Sequence, residues 1–259
     1  FELFDRQVHA DDYQQSVPRR HHLHGTGLPV AAAGGDGVVG ELPVAYSYNS
    51  IGTKRYLFLR VRFTDGSYTI GTNAAVTLLN NLSNFYATMS YGKLLVAPLT
   101  GSQSSGSAIT PELQLPEAAS FYDNAGLSKL YPAALSAARA AGYNPDNYPF
   151  CVVFTSGKPA AGYAGVAYVG GKGAHIANGY FSESVTSHEL GHNVGLYHAH
   201  YWDTGDKSTI GDGTSVEYGG PYDVMGGGGY SAGHYSAGHK RRSEEHTSEL
   251  QSPYVISYA

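Results

Sequence analysis

Within a chain of 259 residues, the segment His188-Glu189-Leu190-Gly191-His192-Asn193-Val194-Gly195-Leu196-Tyr197-His198 gathers side chains that can do chemistry together. Residues four apart on a helix share a face, so His188 and His192 can bite one metal ion. Gly195 can take a left-handed backbone, end that helix and return the chain, which lets His198 approach the same ion from another direction. Three neutral imidazoles leave a fourth coordination position open. That openness distinguishes a catalytic zinc site from a closed structural one, and Zn2+ is the default ion for such nitrogen ligands. Glu189, adjacent to His188, is expected near the metal without being a ligand, as general base and then general acid. His175 and His200 are alternatives for the third ligand, at spacings that a Gly-ended helix does not deliver. His200 reads better as a surface or supporting residue.

These residues need elements to hold them. Ser182 can cap a helix over about 185–194, with Gly195 as its stop. Tyr56 to Phe63 is β-branched and aromatic with partial alternation and predicts a strand, followed by a turn at Thr64-Asp65-Gly66. Val76, Leu79, Leu82, Phe85 and Met89 recur at helical spacings over 73–90, with Met89 as core filler, and 93–99 reads as a second strand. After a polar stretch over 102–107, an Ala- and Leu-rich helix is expected over 127–141, ending at Gly142. Phe150 to Thr155 is a buried strand. Gly165 to Gly171 and Ala174 to Ala177 read as short, irregular edge strands and turns. Strands alternating with helices predict an α/β layer architecture, without internal repeats.

Composition narrows the alternatives. The chain is 42% hydrophobic and 12% aromatic, which is enough for a real core. A net charge of -5 offers no basic field for a phosphate backbone, and no apolar run approaches the roughly 18 residues of a membrane span. Neither nucleic acid nor a membrane is expected as a partner. The single cysteine, Cys151, lies in an apolar run and reads as a buried, inert thiol.

Residues 1–40 have the composition of a linker or pro-segment remnant, with His21, His22 and His24 as solvated residues, and residues 41–241 are expected to form the catalytic domain. The chain begins at Phe1 without a signal-like segment, which reads as a fragment or processed form. Residues 242–259 resemble the in-frame translation of a sequencing-library adapter and read as non-native, with the domain expected to continue beyond Arg241.

The string HExxHxxGxxH resembles the signature of the metzincin clan of zinc endopeptidases, whose second mark is a turn containing Met beneath the metal. Tyr222-Asp223-Val224-Met225-Gly226 supplies such a turn downstream. Within the clan, Ser90-Tyr91-Gly92-Lys93-Leu94, Ala167-Tyr168-Val169-Gly170-Gly171, HELGHNVGLYHAH and PYDVMG look most like the gametolysin-like peptidases, over about residues 54–241. The resemblance implies an α+β zincin fold: a twisted mixed sheet with an edge strand lining the cleft, an active-site helix and a Met-turn. It further implies zinc on His188, His192 and His198, catalytic Glu189, structural Met225, and a secreted enzyme acting on proteins of an extracellular matrix or cell wall. Some clan members place a Tyr two residues after the Met; Gly227 stands there, which leaves Tyr222 or Tyr230 as guesses for stabilising an oxyanion.

An extended peptide could add as a strand to an exposed edge near Gly165–Gly171, making Ala167, Tyr168, Val169 and Gly170 candidate substrate-binding residues. Asp203, Asp206 and Asp212 carry oxygen ligands suited to Ca2+, although a solvated turn loop is the simpler expectation. The competing function is a latent, zinc-containing binding or adhesion module. Oligomeric state is left open.

Overall fold

The strand expected at Tyr56 is the spine of the molecule. In the computed structural model, which describes residues 50–66, 70–100, 105–122, 127–156, 163–177, 179–205, 211–227 and 233–244, β2 (Tyr56–Arg62) pairs in parallel with β6 (Phe150–Ser156) along its whole length. On one side of β2 lie β4 (Ala108–Ile109) and β5 (Leu113–Gln114), both parallel to it. On the other side, β6 is followed by parallel β8 (Gly173–Ile176) and then antiparallel β7 (Gly165–Ala167). The result is a mixed six-stranded sheet with β7 at its edge. A parallel pair, β1 (Gly52–Lys54) with β3 (Leu94–Val96), and a hairpin, β9 (Tyr201–Asp203) with β10 (Thr214–Val216), complete the described strands. The helices are α1 (Thr72–Met89), α2 (Ala119–Tyr122), α3 (Leu127–Ala140), α4 (Glu183–Asn193) and α5 (Ala237–Glu244).

Alternation along β2 explains the layers. Tyr56 and Phe58 belong to the core shared with α1 and α4, whereas Leu57, Leu59 and Val61 belong to the core shared with α3. Successive strand residues point to opposite faces, so a strand covered on both reads as an unbroken apolar run. Arg60 is the polar exception: its guanidinium donates to Ile70 O at 2.7 Å and to Thr72 Oγ1 at 2.7 Å, binding the sheet to the start of α1. Met89 lies in the core, as its spacing implies. Cys151 is buried, and burial pushes its thiol up to about 11, away from thiolate chemistry.

Two readings of the sequence change. The segment around Ala174 is not an edge strand: β8 lies between β6 and β7, and all its residues are buried. Small residues fit there because Tyr131 of α3 packs against Gly173, where a Cβ would meet the ring at 2.8 Å. The strand expected over 93–99 is confined to Leu94–Val96, with Leu99 forming a single bridge to Ser107. Ser107, the last residue of the polar stretch, is buried, and its hydroxyl donates to Ala97 O at 2.6 Å. Residues 1–40, including His21, His22 and His24, and residues 245–259 lie outside the described residues, as do Asp206 and Tyr230. Among the described residues, no helix is long and apolar enough to cross a membrane.

The sheet contains one buried histidine that does not face the motif. His175 on β8 places Nε2 2.9 Å from Thr155 Oγ1 and Nδ1 3.1 Å from Tyr163 OH, and burial lowers its pKa from 6.5 to about 3. The folded state therefore refuses a proton that the unfolded chain accepts below pH 6.5, so stability falls as pH drops from about 6.5 towards 3, by up to about 1.4 kcal/mol per pH unit. Unfolding free energies measured across this range should lose about one proton's worth of slope in His175→Gln relative to the parent.

Candidate metal centre

The helix that carries the motif is held from every side. Ser182 accepts from Val185 N at 3.3 Å and caps α4, while nine of its eleven residues, Val185 to Asn193, are buried. This explains why the helix shows no amphipathic stripe: the sheet covers one flank, and α1 and the Met225 turn cover others. Behind His188, Tyr86 of α1 and Tyr235 both donate to Ser187 O, at 3.1 and 2.7 Å. At its far end, the Asn193 amide donates to Tyr168 O and Gly173 O, both at 3.0 Å, and fastens α4 to the β7–β8 connection.

The helix ends as the sequence implies. Gly195 has φ of 93°, its N–H donates to His192 O at 2.7 Å, and Leu196 N donates to Gly191 O at 3.0 Å. These two bonds make a Schellman turn, which needs a residue that tolerates positive φ. The turn does more than stop the helix. It brings Leu196 O to 2.7 Å from His192 Nδ1.

Each of the other imidazoles also turns its Nδ1 to an acceptor. His188 Nδ1 lies 2.7 Å from Val224 O, and His198 Nδ1 lies 2.7 Å from Glu217 Oε1. An Nδ1–H donated to an acceptor puts the ring in the tautomer whose Nε2 carries the lone pair. His188, His192 and His198 are all buried, and one ring nitrogen of each lies within 4.8 Å of those of the other two. With each Nδ1 turned to an acceptor, Nε2 is the ring nitrogen by which each imidazole would meet a cation. The residues therefore fit a metal ion bound by three histidines.

Met225 is fully buried. Its sulfur lies where a Cβ on Gly191 would come within 2.5 Å of it, so the glycine gives the Met225 side chain room against α4 at this level. The turn is fixed by Asp223, whose Oδ1 accepts from Met225 N at 2.7 Å and whose Oδ2 accepts from Ser236 N at 2.8 Å and lies 2.7 Å from His239 Nδ1 of α5. Met225 O in turn accepts from Ala199 N at 2.7 Å, next to His198. Glu189 is 2% exposed and packs against β7, where a Cβ at Gly165 would fall 2.5 Å from Oε1.

The other candidates fall elsewhere. His175 is occupied within the sheet, and His200 Nδ1 meets Ser215 Oγ at 3.0 Å on the surface. Tyr222 is 80% exposed. Asp203 accepts from Gly205 N at 2.9 Å in a local turn and Asp212 is exposed; among the described residues these acids form no cation cluster. Of the substrate-binding candidates, Ala167 ends β7 and is buried with the rest of that strand, because α4 and Glu189 pack against it, so the edge is not open along Gly165–Ala167. Exposure begins at half-buried Tyr168 and Val169 and is complete at Gly170. There the chain forms a turn closed by Gly171 N onto Tyr168 O at 3.1 Å, and Gly170 N donates to His192 O at 2.8 Å.

Sequence reasoning missed Glu217, Tyr218, Gly165, Gly191, Asn193 and Asp223. Tyr218 lies against His198 with ring centroids 3.9 Å apart and the planes tilted by 33°. Asp223, Gly191 and Asn193 lay inside recognised motifs and Gly165 inside the expected edge segment, but nothing in their spacing signalled the contacts they make.

No protein-family model matches the chain, and no curated protein matches it. Among solved structures, one described as a chaperone-substrate complex is similar with a TM-score of 0.40 and 19% identity, covering 74% of this chain and 30% of that one. An archaemetzincin from Archaeoglobus fulgidus complexed with malonate gives a TM-score of 0.31 and 11% identity, covering 72% of this chain and 99% of that one. The chain thus spans less than a third of the first neighbour. Both likenesses are weak, and the chemistry of the site stands on its own geometry.

Gly195→Ala should strain the helix stop by about 1–3 kcal/mol and displace the Leu196 carbonyl from His192. A lower melting temperature together with weaker metal-ion binding in a chelator competition is the expected result.

Proposed function

We propose that this protein is a zinc-dependent endopeptidase of the metzincin type, nearest in its motifs to the gametolysin-like peptidases. The observation that carries the reading is the convergence of three buried imidazoles, each with Nδ1 held by an acceptor. A zinc ion held by His188, His192 and His198 would supply Lewis acidity and lower the pKa of a water to about 7. Glu189 follows His188 directly and is confined against Gly165. Its carboxylate takes a proton from the attacking water and returns it to the leaving amine of the cut peptide. Met225 and the Asp223 turn keep the floor of the site fixed while this happens.

The substrate is a protein chain in extended form, approaching at the exposed end of the β7 edge, from Tyr168 to Gly170. The motif resemblance supports extracellular or cell-wall proteins as targets and secretion of the enzyme.

Zinc content and casein cleavage, compared between the parent and Glu189→Ala, test the assignment. Zinc in both, with cleavage reduced on the order of 10^2- to 10^4-fold in the variant, is expected. Zinc in both with cleavage by neither would favour the latent binding module, and a parent without zinc would overturn the site.

Val169→Pro tests the approach of the substrate. Gly170 has φ of 67° at the third position of the Tyr168–Gly171 turn, the pattern of a type II turn, which favours Pro at the second position. The amides of Tyr168, Gly170 and Gly171 donate within the protein, so a proline at 169 removes none of those bonds. A well-folded Val169→Pro enzyme should show a clearly raised KM or lowered kcat/KM; unchanged kinetics would exclude main-chain contact at this position.

A further inference from the structure

The three histidines are not supported alike. His188 and His192 stand on one helix, and their Nδ1 atoms meet main-chain carbonyls, Val224 O and Leu196 O. His198 lies beyond the helix in a segment without regular structure, and its Nδ1 meets a side chain, Glu217 Oε1, 19 residues further on. The Glu217 side chain is 54% exposed. A carboxylate so open to water holds one orientation only if its backbone is fixed.

The backbone is fixed at some cost. Gly219 N donates to Val216 O at 3.1 Å, closing a four-residue turn at the end of β10 with Glu217 and Tyr218 as its central residues. Tyr218 occupies the third position with φ of 59°, where glycine or asparagine is the unstrained choice. Two further bonds hold the turn against the site: Gly227 N to Tyr218 O at 2.6 Å, and Gly220 N to Ala199 O at 3.0 Å. Backbone strain in a bulky residue persists where the surroundings over-determine it, and it concentrates at functional sites. Here the strained residue lays its ring on His198 at 3.9 Å, with an interplanar angle of 33°.

We infer that Glu217 and Tyr218 are the positioning residues of the third metal ligand. Glu217 fixes the tautomer of His198 and raises the basicity of its Nε2, and the Tyr218 ring sets the plane of the imidazole. Outer carboxylates of this kind commonly change metal affinity by about 10- to 100-fold. The inference rests on the three-histidine metal site proposed above.

Zinc affinity of the full chain, measured by competition with a chromophoric chelator, tests it alongside the Co2+ absorption spectrum and the melting temperature of the metal-free protein. Glu217→Ala should bind zinc about 10- to 100-fold more weakly, and Glu217→Gln, which keeps an acceptor oxygen, should recover part of the loss. Tyr218→Gly relieves the positive φ, so the metal-free variant should melt no lower than the parent while binding zinc more weakly and shifting the Co2+ bands. That opposition separates positioning from mere structural support. Zinc affinities within twofold of the parent in both Glu217→Ala and Tyr218→Gly would overturn the inference while leaving the metal site intact. A parent that binds no zinc would overturn both.

Discussion

The site depends on one repeated interaction: an imidazole Nδ1 held 2.7 Å from a fixed acceptor. Histidine on its own offers two nitrogens, two tautomers and a rotating ring. A metal ion needs one nitrogen from each ligand, aimed at a common point. The fold removes the choice three times, with acceptors drawn from three different places: the end of the same helix, the Met225 turn and the turn after β10. Much of the rest of the architecture keeps those three acceptors still. Gly195 delivers one, Asp223 steadies the loop that presents another, and the strained turn at Tyr218 delivers the last.

Two close approaches make this geometry possible, and both depend on the absence of a side chain. Gly191 admits the Met225 sulfur against the helix, and Gly165 admits the Glu189 carboxylate against the edge of the sheet. A methyl group at Gly191 would press on the Met225 thioether, and one at Gly165 would displace the Glu189 carboxylate. The sheet itself supplies rigidity, because β2 and β6 are buried on both faces and fastened along their full length. Sites built on such elements hold their groups more accurately than sites on loops.

What could be read from the sequence follows from what is local. Ser182 and Gly195 mark the two ends of α4 because capping and left-handed turns act within a few residues. The apolar runs at Tyr56 and Phe150 declare buried strands for the same reason. The i, i+4 histidines and the glycine after them predict three converging imidazoles, and the described structure brings them together. The acceptors were not legible. Two are carbonyls, which every residue possesses, and the third belongs to an exposed glutamate in a loop whose path no periodicity encodes. The order of β7 and β8 was hidden for a related reason: short Gly- and Ala-rich strands look the same at an edge as in the interior, and only the packing of Tyr131 on Gly173 distinguishes them.

Asp223 accepts from Met225 N and from Ser236 N and reaches His239, while Tyr235 donates to the carbonyl that precedes His188. The floor beneath His188 is thus built from residues made about 35 to 50 positions after it. Chains emerge from the ribosome in order, N-terminal end first. A nascent chain that has released the whole histidine motif still lacks the groups that set His188, so the three histidines reach their final arrangement only after the segment through His239 has been synthesised. The spacing of these contacts along the chain acts as a delay, keeping the three-histidine cluster incomplete until nearly all of the described fold exists to contain it.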